Sequence, residues 1–335
     1  MGLTGWYPFI RKKYEPVVLH PTTLNTIPNR RLLDVLGTCY RVIRDSYSHN
    51  PEDVAHGRLE KEISRFGSPQ QLRIFIDGDQ SLEKRATALE RERIRTKALD
   101  RTTKSLETLE TRVVTGSRLK KRHFSDVRSG LASSFYWSKE HRMGFAQYMR
   151  DKGWIVIEAE TEADVAIAVE AQDDDIVISA DSDMLAYETI KTLWRPVSGG
   201  QALVYSIPAL LQSLGITRTQ LTALAVVSRN DYNRNIASLG PATNYGIIKN
   251  IPGTDPRDIV SAYLLEDKVR SKNKDTEKFH NALSVFVDRQ QTKVVDSGSQ
   301  SDIQVRYERL SARFEDVCAK HKESKKFQLQ TTQSR

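Results

Sequence analysis

The stretch WIVIEAETEADVAIAVEAQDDDIVISADSDML, residues 154–185, reads as strand, helix, strand. Trp154–Ile157 and Asp175–Ser179 are apolar runs of strand length, and Ala163–Ala171 between them is a helix. Each run delivers a pair of acids just past its end: Glu160 and Glu162 after the first, Asp181 and Asp183 after the second. In an open parallel α/β sheet that edge, beyond the carboxyl ends of the strands, is where ligands bind.

The same signature recurs on both sides of this stretch. RLLD ends in Asp34 and RIFID in Asp77, so Arg31–Asp34 and Leu72–Asp77 are further strands, with a helix-like period in TCYRVIRDSY between them. Downstream come short strands at Thr192–Arg195 and Ala202–Tyr205. Helices are expected at Lys139–Lys152, Ser206–Leu214 and Arg218–Val227. Strands alternating with helices predict an α/β fold with a central, mostly parallel sheet flanked by helices.

With Asp231 the set of candidate metal-ligating acids is Asp34, Asp77, Glu160, Glu162, Asp181, Asp183 and Asp231. A lone acid after a strand is commonly the N-cap of the next helix. Several acids brought to one sheet edge repel one another unless a cation stands between them. In Asp181-Ser182-Asp183 an extended backbone turns both carboxylates to one side. Glu160 and Glu162 fall at a helix start, where the dipole tolerates negative charge. Oxygen-only donors suit Mg²⁺ or Mn²⁺, and two such ions roughly 4 Å apart brace an in-line displacement at phosphorus.

Charge points the same way. The chain of 335 residues carries 51 Lys and Arg against 43 Asp and Glu, for a net +8. From Glu83 to Arg122 there are thirteen basic and six acidic residues, so most of the excess lies in one segment. A basic segment beside a carboxylate cluster reads as a polyanion-binding surface. Cys39 and Cys318 cannot build a disulfide framework, and neither a membrane-length apolar run nor a secretory leader is seen. The expectation is a soluble intracellular protein.

Residues 82–113 predict a long charged helix, with Leu82, Leu89 and Leu99 as sparse apolar anchors. Gly116, Ser117, Lys120–Arg122 and Gly130 predict a loop over 113–135. A turn, SLGPATNYG, follows the Arg218–Val227 helix. Beyond about residue 268 the chain is polar: ALSVFVD and IQVRYERLSARFEDV are amphipathic helix candidates, and QLQTTQSR is expected to be disordered.

Several motifs, in order, resemble the flap endonuclease family, which includes the xeroderma pigmentosum group G nucleases and related 5′ exonucleases. MGLTGW is similar to the family's Met-Gly-Ile/Val-x-Gly-Leu start, and Ile76-Asp77-Gly78 to its Phe-Asp-Gly. Glu160-Thr-Glu162-Ala163 resembles Glu-Ala-Glu-Ala, and Ser179-Ala-Asp181-Ser-Asp183 resembles Thr-Glu-Asp-x-Asp. Asp231-Tyr232 before Ser-Leu-Gly-Pro resembles Asp-Tyr before Gly-x-Gly-Pro. The ordered set spans roughly residues 1–250.

The resemblance implies a divergent PIN-like 5′ nuclease whose seven acids hold two Mg²⁺ or Mn²⁺ ions. Lys84 and Arg91 stand where the family has catalytic cations on the first helix of an arch, and seven residues apart they share a helical face that Arg95 extends. Tyr40 stands at a base-stacking aromatic, and Gly2 at a glycine that lets the amino terminus approach DNA. Ser238 and Gly240 lie in the turn of a helix–two-turn–helix element that grips duplex phosphates with a monovalent cation. The implied division is 1–113, nuclease region with the basic helix; 114–138, connection; 139–215, remaining nuclease region; 216–267, helix–two-turn–helix-like element; and 268–335, polar extension.

Departures accompany the likeness. Ser238 replaces a glycine, Ala242 a basic residue and Ser228-Arg229-Asn230 a Leu-Gly-x, while Asp79-Gln80 replaces a more basic or proline-containing pair. No sliding-clamp docking sequence is present in the tail. The implied partner is branched or 5′-ended DNA, acted on by a monomer, in the nucleus, with mitochondria and cytoplasm left open as compartments. An RNA-directed or catalytically silent nucleic-acid-binding relative stays open, because backbone contacts dominate affinity for both nucleic acids.

Overall fold

The computed structural model describes residues 2–333 except 25, 49 and 295–298; of residues 299–301 and 323–333 it describes the backbone alone. Of QLQTTQSR, residues 328–335, expected to be disordered, 328–333 are helical in backbone, within the helix Ser299–Gln333, and 334–335 lie outside the described residues. The chain forms two compact units. The first comprises Met1–Val42, His56–Thr87 and Lys139–Val295, and the second Ile43–Ala55, Ala88–Ser138 and Asp296–Arg335.

The first unit holds a seven-stranded sheet. Its strands are β1 (Val17–Leu19), β2 (Arg31–Asp34), β3 (Leu72–Ile76), β4 (Ile155–Glu158), β5 (Ile176–Ile178), β6 (Thr192–Pro196) and β7 (Ala202–Ser206). Their order is β1-β7-β6-β5-β2-β3-β4. From β6 across to β4 all pairings are parallel, and β7 and β1 add antiparallel strands at one end. The mostly parallel sheet flanked by helices is therefore the observed fold class.

Parallel strands covered on both faces read as continuous apolar runs. Accordingly β2 and β5 are buried at every residue, and β3 at all but Arg73. β1 has no such signature: Val17 and Val18 are exposed, and only pairing with β7 defines the strand. The chain runs outward from β2 to β3 and β4, then returns to β5 on the other flank of β2. That reversal leaves a crevice between β2 and β5 at the carboxyl ends of the strands.

Arg31, in β2, is buried beneath this sheet with no carboxylate among its hydrogen-bond acceptors. Its guanidinium lies 5.1 Å from the Trp194 ring centroid and donates to the carbonyls of Leu24 (2.7 Å), Ile27 (2.5 Å) and Phe66. It thereby satisfies carbonyls that the chain entering β2 and β3 leaves unpaired. Burial lowers its pKa.

The second unit is helical. The basic helix Arg85–Val114, which starts in the first unit, buries Leu99, Leu106 and Leu109. Residues 113–135, read from sequence as a loop, instead contain a helix, Lys121–Ser134, that buries Val127 and Leu131. Gly130 misled that reading. It is a packing site within the helix, since a Cβ there would lie 2.0 Å from Thr102 Oγ1. The tail helix Ser299–Gln333 joins them through Arg313–Glu110 and Arg306–Asp100 ion pairs, both 2.7 Å, and a Tyr307 hydroxyl donating to Ser48 at 2.9 Å. Among the described residues no helix is long and apolar enough to cross a membrane.

Arg31→Met keeps the side chain's bulk and leaves the Leu24, Ile27 and Phe66 carbonyls without their donor. The expected loss of stability is about 2–4 kcal/mol, read as a lower urea midpoint with an unchanged slope.

Candidate metal centre at the reversal of the sheet

Asp34 closes β2 at the crevice. Its Oδ1 accepts the Gly37 amide at 2.8 Å and its Oδ2 the Ser179 hydroxyl at 2.7 Å, so the first residue past β5 holds the last residue of β2. Asp77, one residue past β3, accepts the Ala163 amide at 2.9 Å. It thus satisfies an orphan donor at the start of helix Ala163–Glu170. Asp181 caps the short 3₁₀ turn Ser182–Leu185 by accepting the Asp183 amide at 3.0 Å.

Glu162 and Asp231 share one cation. Lys84 donates to Glu162 Oε2, stands 3.5 Å from Asp231 Oδ2 and lies 5.8 Å from the Tyr232 ring centroid. The hydroxyls of Tyr187 and Tyr232 both donate to Asp164 Oδ2, at 3.1 and 3.4 Å. Asp183 is 2% exposed, and its Oδ1 has no hydrogen-bond partner among the described residues.

The electrostatics follow from this crowding. Burial, then Asp77, raises the Asp34 pKa to about 7. Burial also raises Glu162, against the pull of Lys84, and raises Asp181, against its hydrogen bond from the Asp183 amide. Burial lifts Asp164 and Asp183 well above the usual carboxylate range; neighbouring carboxylates add to the rise and Lys84 opposes it. Burial and the Asp164 charge push the phenols of Tyr187 and Tyr232 well up, so both stay protonated donors.

The structure brings together Asp34, Asp77, Glu162, Asp181, Asp183 and Asp231, and joins Asp164 to them. Glu160 is exposed and lines a cleft of about 300 Å³ with Asp77, Asp79, Lys139, Arg142 and Lys293. The run Glu160-Thr-Glu162-Ala-Asp164 places acids at three alternate positions, so the sequence permits two equally spaced pairs. The helix begins at Ala163, and this turns the second pair inward. The buried partners Tyr187 and Tyr232 were missed because their contact with Asp164 is made only in the fold.

Lys84 directly precedes the helix Arg85–Val114. Arg91 and Arg95 belong to the second unit, where Arg95 stacks 4.8 Å above the Tyr136 ring centroid. Tyr40 is 38% exposed on helix Val35–Tyr47 and is not a core residue. Gly2 has φ +86°, and a Cβ there would come within 1.9 Å of Asp181 Oδ1, so only glycine lets the amino terminus rest on the cluster. Ser238 is exposed with φ +63°, in the left-handed region that favours glycine, and Gly240 precedes helix Pro241–Ile248 as its N-cap.

Among the described residues, no three His, Cys, Asp or Glu side chains close around one point as metal ligands. The donor set nevertheless has the chemistry of a hard divalent cation. It offers oxygen donors only, carboxylates that raise one another's pKa, and a buried Asp183 oxygen that no protein donor satisfies.

Residues 153–231, which carry most of these acids, match the XPG I-region. No curated protein matches the chain in sequence. The catalytic core of Rad2 in complex with DNA substrate is 13% identical with a TM-score of 0.50, covering 94% of this chain and 100% of that one. Flap endonuclease-1 from Methanococcus jannaschii is 13% identical with a TM-score of 0.47, covering 92% and 96%. The T5 5′-exonuclease with bound zinc is 14% identical with a TM-score of 0.45, covering 87% and 98%. Residues 153–231 thus carry an XPG I-region, and the chain shares the fold of the Rad2 catalytic core.

Proposed function

We propose that the protein is a divalent-metal-dependent nuclease that hydrolyses phosphodiester bonds in DNA near a 5′ end or a single-strand/duplex junction. The observation that carries this is the buried carboxylate cluster at the sheet reversal, with Lys84 inserted between Glu162 and Asp231. A purely structural role gives no reason to bury acids that raise one another's pKa. The XPG I-region over 153–231 supports the reading, and the protein that shares the fold at a TM-score of 0.50 is a Rad2 core with DNA substrate.

In this reading Asp34, Asp77, Glu162, Asp164, Asp181, Asp183 and Asp231 hold Mg²⁺ or Mn²⁺. Such ions supply Lewis-acid neutralisation of charge on the phosphorane-like transition state. The protein's own groups do the rest. Asp34 is fixed by Ser179 and Gly37, and Asp77 by the Ala163 amide, so both carboxylates are oriented before substrate arrives. Lys84 places a positive charge beside Glu162 and Asp231, where it can steer the scissile phosphate and stabilise developing negative charge. Gly2 leaves room beside Asp181 for a close backbone approach.

Labelled 5′-flap, nicked duplex, single-stranded DNA and RNA substrates in Mg²⁺ or Mn²⁺ test the proposal. Wild type is expected to cleave a 5′-ended DNA substrate, and Asp181→Ala to lower the rate by at least about 10³-fold. Wild type and mutant equally inert on every substrate, while still binding, would replace the enzyme with a binding protein. Cleavage confined to RNA would reassign the substrate.

Lys84→Ala is expected to lower kcat by about 10²-fold with a change in KM of less than about threefold. Equal losses in cleavage and in binding would make Lys84 a general phosphate anchor.

The raised carboxylates give a pH dependence with a definite sign. Asp34 keeps its proton in the folded state up to about pH 7 and loses it near pH 4 when unfolded. Between those values the folded state binds more protons, so stability falls as pH rises. In EDTA the melting temperature is expected to be several degrees lower at pH 7.5 than at pH 5. Millimolar Mn²⁺ at pH 7.5 is expected to restore it, since an ion that binds only the folded state stabilises that state. A metal-free melting temperature that rises over this range would contradict the cluster's electrostatics.

A further inference from the structure

A segment outside the XPG I-region reaches back to the cluster. Gln291 Oε1 accepts the Thr161 hydroxyl at 2.5 Å and the Glu162 amide at 3.3 Å. On one side of Gln291, Phe286 packs edge-on against Tyr187 and Tyr232, with centroids 5.4 and 5.3 Å away. Those are the two phenols that donate to Asp164. On the other side the backbone pairs with the residues leading to Lys84. The Leu82 amide donates to the Thr292 carbonyl at 2.8 Å, the Val294 amide to that of Gln80 at 2.9 Å, and the Thr292 amide to the Glu83 carboxylate at 3.0 Å.

We infer that Gln291 is a positioning residue for Glu162, and that Phe286–Val294 is a brace fixing Glu162, Asp164 and Lys84 relative to one another. The physical need is specific. Glu162 is the N-cap of helix Ala163–Glu170, so its own amide has no acceptor within the helix and needs one outside it. Asp77 satisfies the next amide, that of Ala163. Gln291 supplies the acceptor for Glu162 and, through the Thr161 hydroxyl, fixes the residue before it as well. With that backbone set, the Glu162 carboxylate faces Lys84 and Asp231 instead of solvent. Gln291 does not reach the reacting atoms; it acts through Glu162.

The inference rests on the metal reading above, and calorimetric titration of the full chain with Mn²⁺, without substrate, separates the two. Gln291→Met keeps the side chain's length and removes the acceptor; about tenfold weaker Mn²⁺ binding is expected. Gln291→Glu keeps the acceptor and is expected to bind Mn²⁺ at least as tightly as wild type. A general structural role would lower the melting temperature of both variants and leave their Mn²⁺ affinities alike. Wild-type affinity in Gln291→Met, or equal loss in both variants, would overturn the role of Gln291. If Gln291→Met does not fold, Thr161→Val removes one of the two bonds; a smaller loss of Mn²⁺ affinity is expected, and none overturns the inference. Asp183→Asn marks the metal reading itself. A wild type that binds no Mn²⁺, or an Asp183→Asn that binds it as well as wild type, defeats that reading and the brace with it. Mn²⁺ binding abolished by Asp183→Asn but untouched by Gln291→Met defeats the brace alone.

Discussion

Carboxylates from separate parts of the chain meet at the reversal of the sheet, and their mutual repulsion is the constraint the surrounding structure has to meet. It does so with fixed donors. The Gly37 amide and Ser179 hydroxyl hold Asp34, the Ala163 amide holds Asp77, the Asp183 amide holds Asp181, and two phenols hold Asp164. Each donor is attached to a strand end, a helix start or the buried core, so none can turn away to relieve the crowding. Lys84 adds one full positive charge between two of the acids. The protonation equilibria of the site remain displaced even so, because neutral donors offset repulsion without cancelling charge.

The same constraint explains the tight backbone around Gly78. The Gly78 amide donates to the Thr161 carbonyl at 2.6 Å and the Asp79 amide to that of Glu160 at 3.1 Å, continuing the β3–β4 pairing past the strand ends. A Cβ at position 78 would lie 1.9 Å from the Ala159 carbonyl oxygen. Without a side chain, the two chains can close there and carry Asp77 to the helix start that Glu162 caps. Asp79, next along, turns into the cleft and pairs with Lys139 at 2.8 Å and Lys293 at 2.5 Å. Asp77 and Asp79 both line that cleft but take different partners, an amide for the first and two lysines for the second.

Much of this was legible in the sequence because parallel strands buried on both faces leave an unmistakable apolar run. Arg31–Asp34 and Leu72–Ile76, followed by Asp77, announced both the sheet and the acids at its edge. Local pattern did not single out Asp164, since Glu160 and Asp164 both lie two residues from Glu162 and the burial of Asp164 depends on where the helix starts. Helix Lys121–Ser134 was hidden by Gly130, whose use as a contact with Thr102 exists only once two helices meet. The bonds from Gln291 to Thr161 and Glu162 span about 130 residues, and no periodicity encodes a contact at that separation.

The departures near Asp231 look different once their hydrogen bonds are counted. Asn230, in the Ser-Arg-Asn that stands for Leu-Gly-x, is buried and uses both ends of its amide. Its oxygen accepts the Tyr232 and Asn233 amides, both at 2.9 Å, and its nitrogen donates to the Ala225 and Ser228 carbonyls at 3.1 Å. An Asx turn of this kind lets the side chain dictate the backbone path. It fixes the backbone on either side of Asp231, while Thr87 anchors the Asp231 carbonyl at 2.6 Å. Ser238 shows the opposite case: it takes a left-handed backbone that favours glycine, exposed and with a Cβ that the conformation disfavours. Side-chain hydrogen bonds therefore set the backbone where it carries Asp231, and a strained left-handed residue sets it at the exposed turn beyond.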